Sequence, residues 1–334
     1  MKLIRNIAIP FVPVYYAITS LRNRLFDLGI KKSTSFDFPV ICVGNLSVGG
    51  TGKTPMIEYL IDLLKADYKV ATLSRGYKRK TIGFQLANES STAESIGDEP
   101  FQFYNKFKKE VLVAVDADRT HGIQQLRQLN EAPNVVLLDD AFQHRRVKAG
   151  LNIMLTTYDN PYFSDYVLPT GNLREPRSGA KRANIIVVTK CPNNISDDQK
   201  SVYLKRISPE DYQHIFFSSI SYSNTIISAE TKINLGTVTN FSLVTGIANA
   251  NPLVDFLNGK GLQFEHLNFK DHHEFTEQDI LALEKKEFII TTEKDFMRLK
   301  QYPSLKTKLF YLPITVVISN NAVLDKLVKS FVAL

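Results

Sequence analysis

With 334 residues, 44% hydrophobic and 22% charged, the chain can bury a normal core in one large domain or two ordinary ones, which excludes a disordered or fibrous protein. It has only two cysteines, Cys42 and Cys191, far apart and outside any Cys/His cluster, so a disulfide framework and a zinc centre are excluded and free thiols in a reducing compartment are expected. The net charge of +7 is uneven: the first 34 residues hold Lys2, Arg5, Arg22, Arg24, Lys31 and Lys32 against Asp27 alone, which is +5 of the total.

Between those charges lies NIAIPFVPVYYAITSL (6–21), without a charge. A spanning helix needs roughly 20 apolar residues, and this run is shorter and broken by Pro10 and Pro13. A secretory signal with Lys2 and Arg5 as its basic head is the obvious rival, but it conflicts with the nucleotide loop that follows, since ATP is lacking outside the cell. Two readings of residues 1–34 stay open: a basic amphipathic segment lying in a membrane interface, or an ordinary N-terminal helix packed on the core. No basic groove with interleaved aromatics appears, so nucleic acid is not an expected partner.

Continuous apolar, β-branched runs then recur: FPVICV (38–43), KVATLS (69–74), VLVAVD (111–116), NVVLLD (134–139), LNIMLT (151–156) and NIIVVT (184–189). Such runs suit parallel strands covered on both faces. Helical patterns over 55–67 and 99–107 alternate with them. The chain therefore reads as α/β, a mostly parallel sheet with helices on both faces. Past residue 220 strands are expected at 241–247, 288–292 and 309–318, and helices at 251–258, 276–286 and 320–333. This predicts a core over 35–220 and a smaller C-terminal α/β domain over 221–334, divided near SSISYSNT (218–225).

The first strand runs into VGNLSVGGTGKTP (43–55). The strict P-loop pattern places a glycine where Ser47 stands, but the physics of the loop survives. Gly49, Gly50 and Gly52 let N–H groups turn inward, so the loop Ser47, Val48, Gly49, Gly50, Thr51, Gly52, Lys53 and Thr54 is the expected nucleotide cradle. Lys53 reaches the β- and γ-phosphates and Thr54 ligates Mg²⁺. The following helix turns its positive end toward the anion, and Pro55 is tolerated in its first turn. A Mg²⁺-holding acid belongs at the end of another strand, and NVVLLDDAFQH (134–144) supplies Asp139 and Asp140 at the sheet edge where α/β proteins bind ligands.

Those two elements define a superfamily and not a reaction. The discriminating stretches are SRGYKRK (74–80), GDEP (97–100), DADR (116–119), DDAFQH (139–144), GNLREPRSG (171–179), GIANANP (246–252), DHHEF (271–275) and TTEKD (291–295). In this order, with GNLSVGGTGKTP, they resemble tetraacyldisaccharide 4′-kinase, the lipid A 4′-kinase of Gram-negative bacteria, over about residues 40–298. Ser47 matches that family's form of the loop, whereas Ala141 stands where members usually carry glycine. The resemblance implies transfer of the γ-phosphoryl group of ATP, with Mg²⁺, to the 4′-hydroxyl of a tetraacylated glucosamine disaccharide 1-phosphate, giving lipid IVA. It also implies work at the cytoplasmic face of the inner membrane, with the N-terminal segment as the membrane contact.

A sugar hydroxyl is a poor nucleophile, so a proton acceptor helps. Asp98 matches the family's proposed base and His272 its histidine partner, while Glu99 is expected to help order the metal or the base. Without the resemblance, Gly-Asp beside a proline is ordinary turn chemistry. Arg174 and Arg177 are candidates to stabilise the transferring group or grip the substrate's 1-phosphate. Arg75 and Arg119 are further substrate candidates, and Gln143 and His144 are placed to order the site. For any one arginine a solvated surface charge is the ordinary alternative. VTKCP (188–192) lacks the aspartate of a guanine-reading motif, so GTP is not inferred. The rival functions are a membrane-associated P-loop ATPase switch or transport ATPase, and a scaffold with a degenerate site. The first does not need Asp98 or His272, and intact Lys53, Thr54, Asp139 and Asp140 argue against the second.

Overall fold

The computed structural model describes residues 8–271 and 273–333. The first apolar run forms β1 (Val40–Asn45), buried along its whole length. Val40 and Cys42 enter one hydrophobic cluster and Ile41 and Val43 another, so the strand is covered on both faces and shows no polar alternation. Both cysteines are buried free thiols.

Six further strands surround β1 in parallel or near its edges: β2 (Val70–Ser74), β4 (Leu112–Val115), β5 (Val135–Asp139), β6 (Leu151–Thr157), β7 (Ile185–Thr189) and β8 (His214–Tyr222). With short β3 (Gln85–Leu86) and late β15 (Ile314–Ile318) they make a nine-stranded sheet in the order β15-β8-β7-β6-β1-β5-β2-β4-β3. Pairing is parallel throughout except at the two edges, where β15 joins β8 and β3 joins β4 antiparallel. The helices of this unit are α1 (Val12–Asp27), α2 (Lys53–Leu64), α3 (Ala93–Ile96), α4 (Asp98–Phe107), α5 (Arg119–Arg127) and α6 (Asp197–Ile207).

A second, six-stranded sheet follows in the order β10-β9-β14-β13-β11-β12, from β9 (Thr225–Ile227), β10 (Lys232–Asn234), β11 (Asn240–Thr245), β12 (Gln263–Asn268), β13 (Ile289–Thr292) and β14 (Leu309–Leu312). It carries α7 (Asn251–Gly259), α8 (Glu277–Glu284) and α9 (Glu293–Leu299), with Leu243, Leu257 and Ile290 in its core.

The run 309–318, expected as one strand of the smaller domain, is two strands in two sheets. Pro313 lacks an N–H and ends β14, and β15 crosses back to pair with β8. The last helix, α10 (Asn321–Val332), follows it: Leu324, Val328 and Val332 lie in the same cluster as Ile57 and Leu60 of α2, and Tyr59 donates to Asp325. Residues 225–312 are therefore inserted into the larger unit, and the expected division at about residue 220 misses the return of 314–333. The stretch 218–225 is not a linker either. Its first five residues complete β8, where Ser218 is buried.

α1 shows features of both readings of the N-terminus. It is anchored by polar contacts, Tyr15 donating to the Arg174 carbonyl and buried Asn23 to Glu175. Ile9, Phe11, Val14, Ile18 and Leu21 remain exposed. No described helix is long and apolar enough to cross a membrane. Residues 1–7, with Lys2 and Arg5, lie outside the described residues.

Leu324 is fully buried against the larger unit. Leu324→Ala is expected to destabilise the protein by about 2–5 kcal/mol, measured by urea unfolding. An unchanged midpoint would show that α10 is not part of that core.

Candidate active site

The loop after β1 is shaped by two glycines in the left-handed region, Gly49 (φ 108°) and Gly52 (φ 89°), where a side chain would be strained. Its entry pairs with the segment carrying GNLRE: Ser47 bridges Leu173, Val48 N–H donates to Asn172 O (2.8 Å) and Arg174 N–H to Leu46 O (2.7 Å). Its far side is pinned by the end of β7, where Thr189 donates to Thr51 O (2.8 Å) and Lys190 Nζ to Gly50 O (2.7 Å). Asn45 holds the Thr51 hydroxyl at 2.8 Å. α2 begins at Lys53, so its unpaired N–H groups and positive end face the loop, with Thr54 in the first turn.

β5 delivers Asp139 and Asp140 opposite that loop. Asp139 is buried; Ser74 Oγ donates to one carboxylate oxygen (3.2 Å), and the other has no protein partner. Burial pushes its pKa up to about 7, Lys53 pulling down while Asp140 and Glu99 push further up. A buried carboxylate oxygen without a partner is a position that suits a cation. Asp140 turns away through a left-handed backbone (φ 49°). Arg174 Nη1 meets both its oxygens at 2.9 and 3.0 Å, and Lys53 Nζ lies 3.6 Å away. Burial works to raise the Asp140 pKa, but Lys53 and Arg174 outweigh it and hold the carboxyl below its ordinary range. Asp140, expected as a second metal acid, thus gathers the two cations. The left-handed residue here is Asp140, so Ala141 needs no glycine's freedom.

Asp98 opens α4 immediately after Gly97 (φ 95°), where an added Cβ would sit 3.2 Å from the Gly76 Cα and the Tyr77 carbonyl. GDEP and SRGYKRK therefore interlock through backbone. Arg298 of α9 grips Asp98 through two nitrogens, Nε at 3.2 Å, and itself lies 3.7 Å from buried Asp295. Glu99 faces the same way, near enough to Asp139 to raise its pKa. His272 lies outside the described residues.

The remaining candidates divide. Gln143 donates to Asn45 O (2.8 Å) and Glu175 Oε1 (2.9 Å), and its own carbonyl oxygen takes Arg174 at 3.4 Å, so it orders the arginine. Arg119 is not a substrate ligand: its buried guanidinium donates to the carbonyls of Asp116 (2.9 Å) and Asp139 (3.3 Å) and ties strand ends together. His144 accepts the Arg119 N–H (3.3 Å) and lies 3.7 Å from Asp118. Arg75 is exposed beyond β2. Arg177 is exposed too, donates to Asp165 O (2.9 Å) and lies over Tyr166, so the structure does not bring it to Asp140.

Sequence reasoning missed three residues. Arg298 sits three residues past TTEKD and carries no local signal. Glu175, fully buried, accepts from Asn23, Gln143 and Arg182; its place in LREPR offered a hint. Lys190 was visible in VTKCP, but as a nucleotide-reading residue and not as a prop for the loop. Among the described residues no three His, Cys, Asp or Glu side chains gather as a metal cluster. A divalent cation here would take much of its coordination from phosphate oxygens and water, as Mg²⁺ commonly does.

The family profile described as Tetraacyldisaccharide-1-P 4′-kinase matches residues 4–333. The chain is similar to tetraacyldisaccharide 4′-kinase of Flavobacterium johnsoniae, 55% identical over 319 residues covering 94% of this chain and 93% of the relative. The Bacteroides thetaiotaomicron protein of the same name is 46% identical, covering 92% and 87%. A crystal structure of LpxK from Aquifex aeolicus in complex with ATP superposes with a TM-score of 0.79 at 32% identity, over 98% of this chain and 99% of that one.

Asp139 yields a pH prediction. Its folded pKa of about 7 exceeds its unfolded value, so the folded state binds the proton more tightly and stability falls as pH rises through about 7. Asp139→Asn in ligand-free protein should be more stable than the parent at pH 8, by up to about 4 kcal/mol, and show a flatter pH dependence below 7. Denaturant titrations across that range check it. Parallel curves for the two proteins would refute the shift.

Proposed function

The chain belongs to the tetraacyldisaccharide-1-P 4′-kinase family, and we propose that its loop, Asp140 cluster and Asp98 carry that family's reaction as set out here. It is an ATP-dependent kinase that phosphorylates the sugar hydroxyl of a tetraacyldisaccharide, a step of lipid A synthesis. The observation that carries the residue assignment is the first turn of α4: Glu99 is near enough to Asp139 to raise its pKa, and Asp98 is its neighbour in the chain.

The loop N–H groups and Lys53 bind the β- and γ-phosphates, and Arg174 supplies a second cation for charge that builds on the transferring group. Asp140 keeps Lys53 and Arg174 aimed at one point until phosphate arrives. Thr54, Asp139 and Glu99 would hold Mg²⁺, which supplies charge neutralisation to the phosphates when bound. Asp98 takes the proton of the 4′-hydroxyl as its oxygen bonds to the γ-phosphorus and ADP leaves. Arg298 orients Asp98, and His272 serves as its partner in this reading. The exposed apolar side of α1, carrying Val14, Ile18 and Leu21, with Phe11 just ahead of it, lies in the cytoplasmic face of the inner membrane, where an acylated acceptor resides.

The test uses purified protein, γ-labelled ATP, Mg²⁺ and an acylated disaccharide 1-phosphate in neutral detergent micelles. Label is expected in the lipid and absent with Lys53→Ala. Asp98→Ala should lower kcat by about 10²–10⁴-fold with ATP affinity kept. Arg298→Met should lower kcat without moving the KM for ATP. Label released only as free phosphate would overturn the assignment in favour of an ATPase.

A further inference from the structure

The segment DHHEF (271–275) follows β12 and is tied to α9 at both ends of its first turn. The His273 N–H closes that turn on Lys270 O (3.0 Å). Asp271 lies 3.6 Å from Lys294 Nζ, and the His273 carbonyl accepts Arg298 Nη1 at 3.5 Å. Lys294 and Arg298 are four residues apart in α9, so both ties come from one face of that helix. The half-buried His273 ring is held from three directions. It stacks on Phe269 with centroids 4.7 Å apart and planes at 24°, it meets Phe275 at 5.2 Å and 89°, and its Nε2 lies 2.9 Å from Asp279. Pairs of this geometry fix the plane of a ring as well as burying it. Phe269 and Phe275 pack in turn on the cluster that contains Phe296 and Met297 of α9, and Phe101 of α4 packs on the same cluster. With its ring flanked by two aromatics and Nε2 taken by Asp279, what His273 offers its surroundings is a fixed carbonyl.

We propose that His273 is a positioning residue for phosphoryl transfer: its clamped ring fixes the carbonyl that fixes Arg298, and Arg298 fixes Asp98. The inference rests on the reading of Asp98 as the group that takes the acceptor's proton. A guanidinium is planar and its donors point in set directions. Arg298 gives Nε and Nη2 to Asp98 and Nη1 to the His273 carbonyl, so the place of one acceptor constrains the other. Fully buried Asp295 completes the frame: it lies 3.7 Å from Arg298 Nη1 and accepts the Gly246 N–H at 2.8 Å. Asp98 opens α4 in the larger unit, whereas His273 and Arg298 belong to the inserted unit. The carboxylate that must meet the sugar hydroxyl is thus held by residues of the other unit. A general base works only within hydrogen-bond reach of the proton it takes. Loss of the clamp therefore slows the transfer step and leaves nucleotide binding alone.

The experiment measures label transfer from γ-labelled ATP to the acylated disaccharide 1-phosphate in neutral micelles, with the full chain. Transfer by the parent protein and its loss in Asp98→Ala are established first, so a failure of the Asp98 reading is seen separately. His273→Ala is expected to lower kcat by about 10- to 10²-fold, the scale of a small misplacement of a reacting group, with the KM for ATP unchanged. His273→Phe keeps a ring between Phe269 and Phe275 but has no ring nitrogen, and it should stay close to the parent kcat. In the Arg298→Met background His273→Ala should cost little more, because both changes act through one guanidinium. If the alanine variant does not fold, His273→Gln, which keeps a donor for Asp279 without a ring, replaces it in the same comparisons. A phenylalanine variant as slow as the alanine one overturns the proposal, since the imidazole itself would then do the chemistry. Losses that multiply in the double variant overturn it too, as does a parental kcat in His273→Ala or a KM for ATP that rises as kcat falls.

Discussion

Two adjacent carboxylates at the buried end of a strand are expensive, and much of the surrounding architecture offsets that cost. Like charges this close cannot both ionise cheaply out of water. The chain separates them by geometry. The left-handed turn at Asp140 sends its carboxylate to Lys53 and Arg174, while Asp139 stays behind with one hydroxyl. Their environments therefore diverge, one carboxyl pushed up by burial and the other held down by cations. That divergence gives adjacent residues of the same type different chemistry. Beneath them, Arg119 spends its charge on backbone carbonyls and holds the strand end that makes the turn possible.

A second dependency runs from the surface helix to the site. Buried Glu175 accepts Asn23 from α1 and also Gln143, which takes Arg174. Tyr15 of α1 reaches the Arg174 carbonyl. The helix that offers apolar surface outward is thus bonded inward to the residues that hold Arg174 against Asp140. An element with this much exposed apolar surface would ordinarily be expected to float on a flexible tether, and here it is hydrogen-bonded to the segment that carries Arg174 and Glu175.

Much of this was legible in the sequence because the signals were local. The apolar runs that became β1, β2, β4, β5, β6 and β7 are continuous, and continuity is what a strand covered on both faces requires. Glycines at fixed offsets before Gly52-Lys53-Thr54, and the acids ending β5, marked the loop and the strand end that meet at Lys53 and Asp140. β8 was hidden because HIFFSSISY mixes polar and apolar residues near the sheet edge, and β12 because QFEHLN is half exposed. Arg298 was hidden for a different reason. Its meaning lies in a partner 200 residues away, which periodicity cannot report. The roles of Arg119 and Arg177 failed similarly: guanidinium beside phosphate chemistry and guanidinium beside backbone carbonyls look identical in one dimension.

The crossing at Pro313 bears on how the chain is made. The larger sheet gains its edge strand, and α2 its cover by α10, only once residues 314–333 have been synthesised. The inserted unit has all of its strands by residue 312 and can close first. Assembly during translation is therefore nested, the inner unit before the outer. The nucleotide half, although encoded first, waits longest for its full complement of contacts. A ribosome stalled before residue 314 would hold a nucleotide half whose sheet lacks its edge strand and whose α2 lacks the cover of α10, the state in which a chaperone has most to cover.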